Sequence, residues 1–385
     1  MNQPPPRFPA RPPFKWDHAV YERDTEEPSR LDTRSGHKAQ FGDQATHESL
    51  LDLFLDTGSF SLQSAYEPSV FKRIFKEDTL ENIRDGKHGF QDPQQLVAWL
   101  HDRNCDNQPR PTNGSKTGEE FLKLIKLKVC RRLKGKIKLI RSSYIPNPNE
   151  SALGILALRA SEHQTPAIKS LIFKHLEADT SISLQSTVPE GEFILEFHMP
   201  YFAWRKTSYL VNDSRTLTNN NPLRRSFDLS FLSETKMEKL IVEKNNYLYE
   251  AHTAFCITGR ATSVWTAVCL ADTFFDEQDP NNEQMLSYYT NNNDSDPMFY
   301  DTDALSVGEL TADGVSVTDP REYFLLIAKS QVKKAGKEWK DICGWLKLKV
   351  EEYVCKEVIQ SITCHQKQRI IRPEYCAVTV SLLTD

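Results

Sequence analysis

Two side chains in the sequence have types and spacing that suit acid–base chemistry. Glu196 and His198 stand two residues apart in the run GEFILEFHMPYFAWR (191–205), whose alternation of apolar and polar residues predicts a β-strand. A carboxylate beside an imidazole can serve as a general acid–base pair. On the polar face of a strand, however, such residues are more often cross-strand partners, and we favour that interpretation.

The eight cysteines are the second set of reactive groups, and they include no C-x-x-C pair. Their tightest group, Cys355, Cys364, His365 and Cys376, contains the ligand types of a zinc site but lacks the short paired spacing that such sites usually have. The first sixteen residues contain no apolar signal segment. We therefore expect a cytoplasmic protein with reduced thiols and not a disulfide framework, and free cysteines are commonly buried as small apolar groups.

Carboxylates are concentrated between positions 272 and 320, where twelve Asp or Glu residues occur without a single Lys or Arg. Within this acidic loop (272–319), a candidate Mg²⁺ or Ca²⁺ site is formed by Asp294, Asp296, Asp301 and Asp303. Their spacing is not that of an EF-hand. A solvated loop, or a loop that lies against a basic helix, is the favoured interpretation, and no other cofactor is expected.

Composition and motifs exclude several classes of protein. The net charge of −5 argues against a dedicated nucleic-acid binder, although residues 116–141 carry ten Lys or Arg against two Glu. We interpret that basic stretch as a solvated face, with an acidic partner surface as the next interpretation and nucleic acid as the last. No run of 18 apolar residues predicts a membrane span. No G-x-S-x-G, P-loop, Rossmann glycine or H-E-x-x-H pattern is present, so no catalytic residue is assigned and a non-enzymatic protein is expected.

The order of the elements predicts an α+β fold with a mixed or antiparallel sheet and flanking helices. A capping box at Thr117–Glu120 begins one helix, 150–160 forms a second, and a third begins with Thr165 as its cap and Pro166 at its first position. His175 falls on the apolar stripe of the third helix, which indicates a core histidine. Residues 247–275 predict a hairpin inside the sheet, with its turn at 259–261.

A long amphipathic helix is predicted from Asp319 to about residue 358. Asp319, Pro320 and Glu322 supply an N-cap, a first-position proline and a capping-box acid. Apolar residues then recur every three or four positions in a coiled-coil-like seam, with an interruption suggested near Gly344. The candidate interaction residues in this seam are Val332, Trp339, Ile342, Leu346 and Val350.

The order of several sequence blocks resembles that of fungal proteins with a CorA-like transporter N-terminal domain. The blocks include SYIPNPNESALGILAL (143–158), EFHMPYFAWR (196–205), the hairpin, and DPREYF (319–324) at the start of a helix. The similarity covers about residues 90–350. It implies a cytosolic α/β domain followed by a stalk-like helix. The chain lacks the Gly-Met-Asn signature and the spanning helices of the channels, so the resemblance does not imply a pore.

These patterns divide the chain into a disordered Pro-rich tail (1–45), a CorA-like α+β domain (46–318) and a C-terminal stalk-like helical region (319–385). The expected function is that of a regulatory or interaction module. We expect a homo-oligomer or a protein partner to bind through helix 320–358. Two alternatives remain open at this point: a Mg²⁺-sensing domain that acts with a separate membrane partner, and an enzyme without a recognisable motif.

Overall fold

The computed structural model describes eleven stretches of the chain, and in the last of them side chains are described as far as Cys355. The stretches are 50–55, 68–76, 78–85, 96–103, 114–126, 139–161, 163–186, 192–232, 245–261, 264–276 and 319–371. The predicted Pro-rich tail, the four candidate metal-ligating aspartates, Cys376, and the side chains of Cys364 and His365 lie outside this description.

The predicted α+β architecture is confirmed. The helices of the described residues are α1 (Leu50–Leu55), α2 (Pro68–Lys72), α3 (Thr79–Arg84), α4 (Gly118–Lys126), α5 (Glu150–Arg159), α6 (Thr165–Glu177) and α7 (Pro320–Ile371). The strands are β1 (Leu96–Arg103), β2 (Gly114–Thr117), β3 (Leu139–Pro146), β4 (Ser181–Ser186), β5 (Phe193–Thr207), β6 (Ser226–Asp228), β7 (Asn245–Ala261) and β8 (Val264–Ala271).

The eight strands form one mixed sheet in the order β2-β1-β3-β8-β7-β5-β4, with β6 paired to β7. Only β3 and β8 run parallel among the described pairs. The predicted hairpin is β7–β8, and both of its strands lie inside the sheet. Strand β7 continues through the predicted turn at 259–261, with an irregularity in register there, so the strands connect through residues 262–263.

The sheet is covered on both faces, and the alternation along β7 shows how. Ala254 and Cys256 face the core formed with α1–α6, whereas Phe255 and Ile257 face a second core completed by α7. Because successive strand residues point to opposite faces, a two-sided core requires apolar residues at nearly every position of a central strand. The same feature explains why β7 and β8 read as continuous apolar runs.

Local sequence signals fix several helix starts. The backbone N–H of Glu120 donates to Thr117 Oγ1 at 3.5 Å, and Glu120 Oε2 accepts from the Thr117 backbone N–H at 3.0 Å, which confirms the predicted capping box. The Asn149 side chain caps α5. At α6 the predicted cap is wrong by one position: Gln164 is the N-cap, and the Thr165 hydroxyl donates to the Ser161 carbonyl instead.

Helix α7 runs unbroken through Gly344 to Ile371, so the suggested interruption is absent. Its first part packs along β5, with Tyr323, Phe324 and Ile327 in the aromatic core of the sheet. The helix is held at two further points. Arg205 on β5 donates two hydrogen bonds to the Glu338 carboxylate, at 2.8 and 2.9 Å, and Trp204 stacks on Trp345.

Candidate functional site

The Glu196–His198 pair lies in a buried polar cluster between β5, β7 and α6. We call it the histidine–arginine cluster, and its members are His175, Glu196, His198, Arg215, Arg224, His252 and Asp272. Strand alternation places Glu196 and His198 on the α6 face of β5, while His175 points from α6 towards the sheet. Helix α6 therefore covers the face that the sequence pattern marks as polar.

Asp272, which directly follows β8, is the central anion of the cluster. Its carboxylate accepts from Arg215 Nη1 at 2.7 Å, from Arg224 Nε at 2.5 Å and from the backbone N–H of His252 at 2.9 Å. Burial alone raises the pKa of the carboxyl, but the two guanidinium groups outweigh it and hold the pKa of Asp272 well below its usual range. Asp213 adds a bidentate pair to Arg215.

His175 and His252 form a chain of contacts that ends on an acceptor at each side. His175 Nε2 lies 3.4 Å from Asp272 Oδ1, the two Nδ1 atoms are 3.2 Å apart, and His252 Nε2 lies 3.0 Å from the Asp179 carbonyl. If all three contacts were hydrogen bonds, the two imidazole rings would have to supply three N–H protons, but each neutral ring carries only one. Burial lowers the pKa of His175 to about 4, so near neutral pH one contact stays unfilled. The longest of the three, at His175 Nε2, is the one without a hydrogen bond.

His198 contributes a ring whose two nitrogens have no hydrogen-bond partner in the described part of the chain. Its Nε2 is 3.8 Å from Glu196 Oε2, which is beyond hydrogen-bond distance. Glu196 Oε2 instead accepts from Ser170 Oγ at 3.0 Å and from Lys174 Nζ at 2.9 Å, both on α6. Both Glu196 and His198 are buried, and the residues opposite them on β7 are Cys256 and Ala254. Neither residue therefore faces a charged side chain on a neighbouring strand, so the predicted cross-strand pairing is wrong, and Glu196 pairs with α6 instead.

Because of the histidine–arginine cluster, we expect the free energy of unfolding to fall markedly as the pH is lowered. Burial lowers the folded-state pKa of His175, His198 and His252 below the ordinary value of about 6.5, so their stabilising effect is complete above that pH and is lost below it. The neutral state of His175 alone contributes about 3 kcal/mol of stability that is lost by pH 4, and its proton uptake on unfolding gives a slope of about 1.2 kcal/mol per pH unit near pH 5. Protonation of His198 and His252 on unfolding makes this slope steeper.

Urea unfolding at several pH values between about 7.5 and 4.5 measures this slope. As a matched comparison, His198→Phe removes one titrating ring that has no hydrogen bond to lose, so the slope falls by at most about 1.4 kcal/mol per pH unit. A free energy of unfolding that stays constant from about pH 7 to pH 5 would contradict the assigned protonation states.

A second candidate site is a stripe along the flank of α7. Large apolar side chains recur there at seven-residue intervals, which is the spacing of the d positions of a heptad. Smaller residues follow three of them by four positions and so occupy the a positions. We call this stripe the heptad seam: Leu325, Val332, Trp339, Leu346 and Tyr353 at d, and Gly336, Cys343 and Val350 at a. All eight residues are exposed, and even the most covered of the large ones, Leu346 and Trp339, are 42% and 46% exposed.

The structure separates two stripes that the sequence pattern merges. Val332, Trp339, Leu346 and Val350 lie on the heptad seam, whereas Ile342 is buried. The inner face of α7 also includes Ala335 and Trp345. At about 100° per residue, the seam lies roughly a third of a turn around the helix from this inner face. The sheet therefore leaves the seam largely exposed, and the Phe202 ring lies edge-to-face with the Trp339 ring, their centroids 6.0 Å apart.

Among the described residues, no group of three or more His, Cys, Asp or Glu side chains is arranged to hold a metal ion. Asp294, Asp296, Asp301 and Asp303 fall outside the described residues, and so their assignment stays a prediction. Two ends of the predicted acidic loop are described. Asp272 is the buried anion discussed above, and Asp319 accepts from the Arg321 backbone N–H at the start of α7.

None of the described helices is both long enough and apolar enough to cross a membrane. The chain matches no family model, no curated protein and no solved structure.

Proposed function

We propose that this protein is a non-enzymatic interaction module whose heptad seam pairs with the same seam of a second copy. The single observation that carries the proposal is the run of five exposed large apolar residues at seven-residue spacing on α7. A surface helix normally buries one apolar stripe, and α7 already does so against the sheet. A second, exposed stripe with heptad spacing is typical of a coiled-coil contact.

The sizes of the seam residues fit knobs-into-holes packing. The Trp339 layer lies between the layers of Gly336 and Cys343, which leave room for its indole. Alternating large and small layers let two helices approach without voids or overlap. The seam therefore has the volume pattern of a helix–helix contact as well as the spacing.

The charges beside the seam favour a parallel arrangement of the two helices. Lys333, Lys340 and Lys347 occupy the e positions, and the g positions of the same turns are Ala328, Ala335 and Ile342. In a parallel pair each e residue faces a g residue of the partner, and because Ala335 and Ile342 are uncharged and buried against their own sheet, the lysines meet no like charge there. In an antiparallel pair the e rows face each other, and lysine would meet lysine.

The far end of α7 supplies a further reason for a partner. All five residues from 351 to 355 are exposed, and the helix continues to Ile371, 26 residues or roughly 39 Å past Trp345. Helices in water gain most of their stability from packing of an apolar face. Leu346, Val350 and Tyr353 offer such a face, and pairing with a second copy would cover it.

The resemblance to CorA-like N-terminal domains is compatible with this proposal, because it places a stalk-like helix at the same position. It also keeps a second candidate function open, the sensing of Mg²⁺ by the acidic residues between β8 and α7. If that function is present, about 10 mM Mg²⁺ should change the molar mass or the melting temperature more than an equal ionic strength of NaCl. An identical response to both salts would reject Mg²⁺ sensing and leave the pairing proposal untouched.

Oxidative cross-linking at Cys343 tests the parallel pairing of α7 directly. In a parallel, in-register pair the a-layer brings Cys343 of both copies face to face, so mild oxidation should trap a Cys343–Cys343 disulfide. Cys355, exposed but at the outward f position, should not be trapped with its counterpart. Peptide mapping of the oxidised dimer distinguishes the two, and Cys343→Ser is the control. Absence of a dimer, or equal trapping at both cysteines, would contradict parallel pairing.

A further inference from the structure

Among the described strands, β4 has an outer edge without a pairing partner. Within the described part of the chain, β4 pairs only with β5, so the backbone N–H and C=O groups on its other side face outward. Its sequence SISLQS contains no charged residue, proline or glycine. Ile182 and Leu184 are 68% and 67% exposed.

The other open edges carry the usual protection against pairing with a second chain. Strand β2 has only four residues and includes Lys116. The second half of β5, which no described strand covers on the β4 side, contains Pro200 and Lys206. Short strands, prolines and lysines are the devices by which native sheets block edge-to-edge association. Strand β4 is six residues long and has neither a proline nor a lysine, which makes it the exception among the described edges.

We infer that β4 pairs antiparallel with β4 of a second copy, about a two-fold axis at Ser183. This register is self-complementary, because Ile182 then lies opposite Leu184 of the partner, and Leu184 opposite its Ile182. Ser183 meets its own counterpart. Since the strand carries no charged side chain, the pairing brings no like charges together.

The two faces of the paired strands fit this arrangement. Ile182 and Leu184 are in register with Phe197 and Leu195 of β5, which belong to the aromatic core beneath α7. The four apolar side chains of the two copies would thus extend that core across the axis. Ser183 lies on the opposite face, in register with Glu196. Backbone hydrogen bonds between edge strands supply affinity, and the side-chain pattern supplies register.

This contact goes beyond the proposed pairing of α7, because it uses a different surface and different residues. Each of the two contacts is isologous, and a molecule with two isologous contacts assembles into a closed tetramer or an open chain. Loss of one contact leaves a dimer held by the other. The two proposals can therefore fail independently.

Cysteine trapping at Ser183 tests the inference in the full chain. We expect Ser183→Cys to form, under mild oxidation, a disulfide between the thiols introduced into the two copies, as identified by peptide mapping. Gln185→Cys on the same face should give at least about tenfold less self-linked product, since Gln185 faces Ser181 of the partner in this register. More product from Gln185→Cys than from Ser183→Cys would overturn the register.

A second variant distinguishes a β4 contact between two copies from a β4 contact within one chain. Ile182→Lys combined with Leu184→Lys should abolish the β4 contact and lower the molar mass, while each chain still folds, because both side chains are exposed. If the double variant melts at a lower temperature while its molar mass stays the same, β4 is covered by another segment of its own chain, and the inference is wrong. An unchanged mass with unchanged melting would also overturn it.

Discussion

Asp272→Asn should lower the free energy of unfolding by about 3–5 kcal/mol, the largest effect that we expect of any single substitution. Asparagine keeps the size of the side chain but removes its charge. Arg215 and Arg224 are both buried, and each donates a hydrogen bond to one of the Asp272 oxygens. The substitution leaves a buried excess of positive charge, and removing one partner of a buried ion pair costs far more than the pair itself contributes.

Chemical denaturation monitored by circular dichroism measures the effect, and the chain contains a matched control. Glu250 pairs with Arg225, which is well exposed to solvent, so Glu250→Gln should change the free energy of unfolding by less than about 1 kcal/mol. Adding Arg224→Gln to Asp272→Asn removes one unpaired charge and should recover part of the loss. A loss below about 1 kcal/mol for Asp272→Asn would show that the cluster does not hold the fold together as described.

The second large effect concerns association. Trp339→Lys together with Leu346→Lys should weaken self-association about 100-fold or more, because the parallel pair would bury four additional ammonium groups in two successive d layers of the seam. At about 1.4 kcal/mol per factor of ten, this requires a loss of only about 3 kcal/mol. Sedimentation velocity over a series of protein concentrations would show the shift.

A control for the same helix is Leu348→Lys. Leu348 is exposed, but it occupies the outward f position and not the heptad seam. It therefore tests whether charge on α7 in general, rather than charge in the seam, disrupts association. Equal weakening by the control and by the double seam variant would reject the seam as the contact surface.

Patterns local in sequence predicted much of the fold. The capping box at Thr117, the β7–β8 hairpin and the burial of His175 follow from spacing within a few residues, and the structure confirms all three. The one-residue error at the start of α6 shows the limit of such signals. Thr165 is a good N-cap residue, but its hydroxyl bonds back to Ser161 and the helix begins from Gln164.

The histidine–arginine cluster could not be predicted, because its members come from distant parts of the chain. Asp272 lies 57 residues from Arg215 and 48 from Arg224, and no periodicity connects them. The sequence marked Glu196 and His198 as polar strand residues, which is correct. It could not show that α6 would cover them and supply Lys174 as the partner of Glu196.

The seam illustrates a different limit. Two apolar stripes on one helix, separated by about a third of a turn, merge into a single pattern when only three- and four-residue intervals are counted. Ile342 and Val350 fit the same series, although one is buried and the other is 60% exposed. Only the position of the sheet shows which stripe is already covered.

The most direct test of the pairing proposal is the molar mass of the intact wild-type chain by light scattering, measured beside the double seam variant at matched concentrations. The proposal predicts a wild-type mass of at least twice the 44.2 kDa of one chain, and a clear fall in mass for the variant. A wild-type mass of 44.2 kDa at high micromolar concentration, or identical masses for the two proteins, would contradict it.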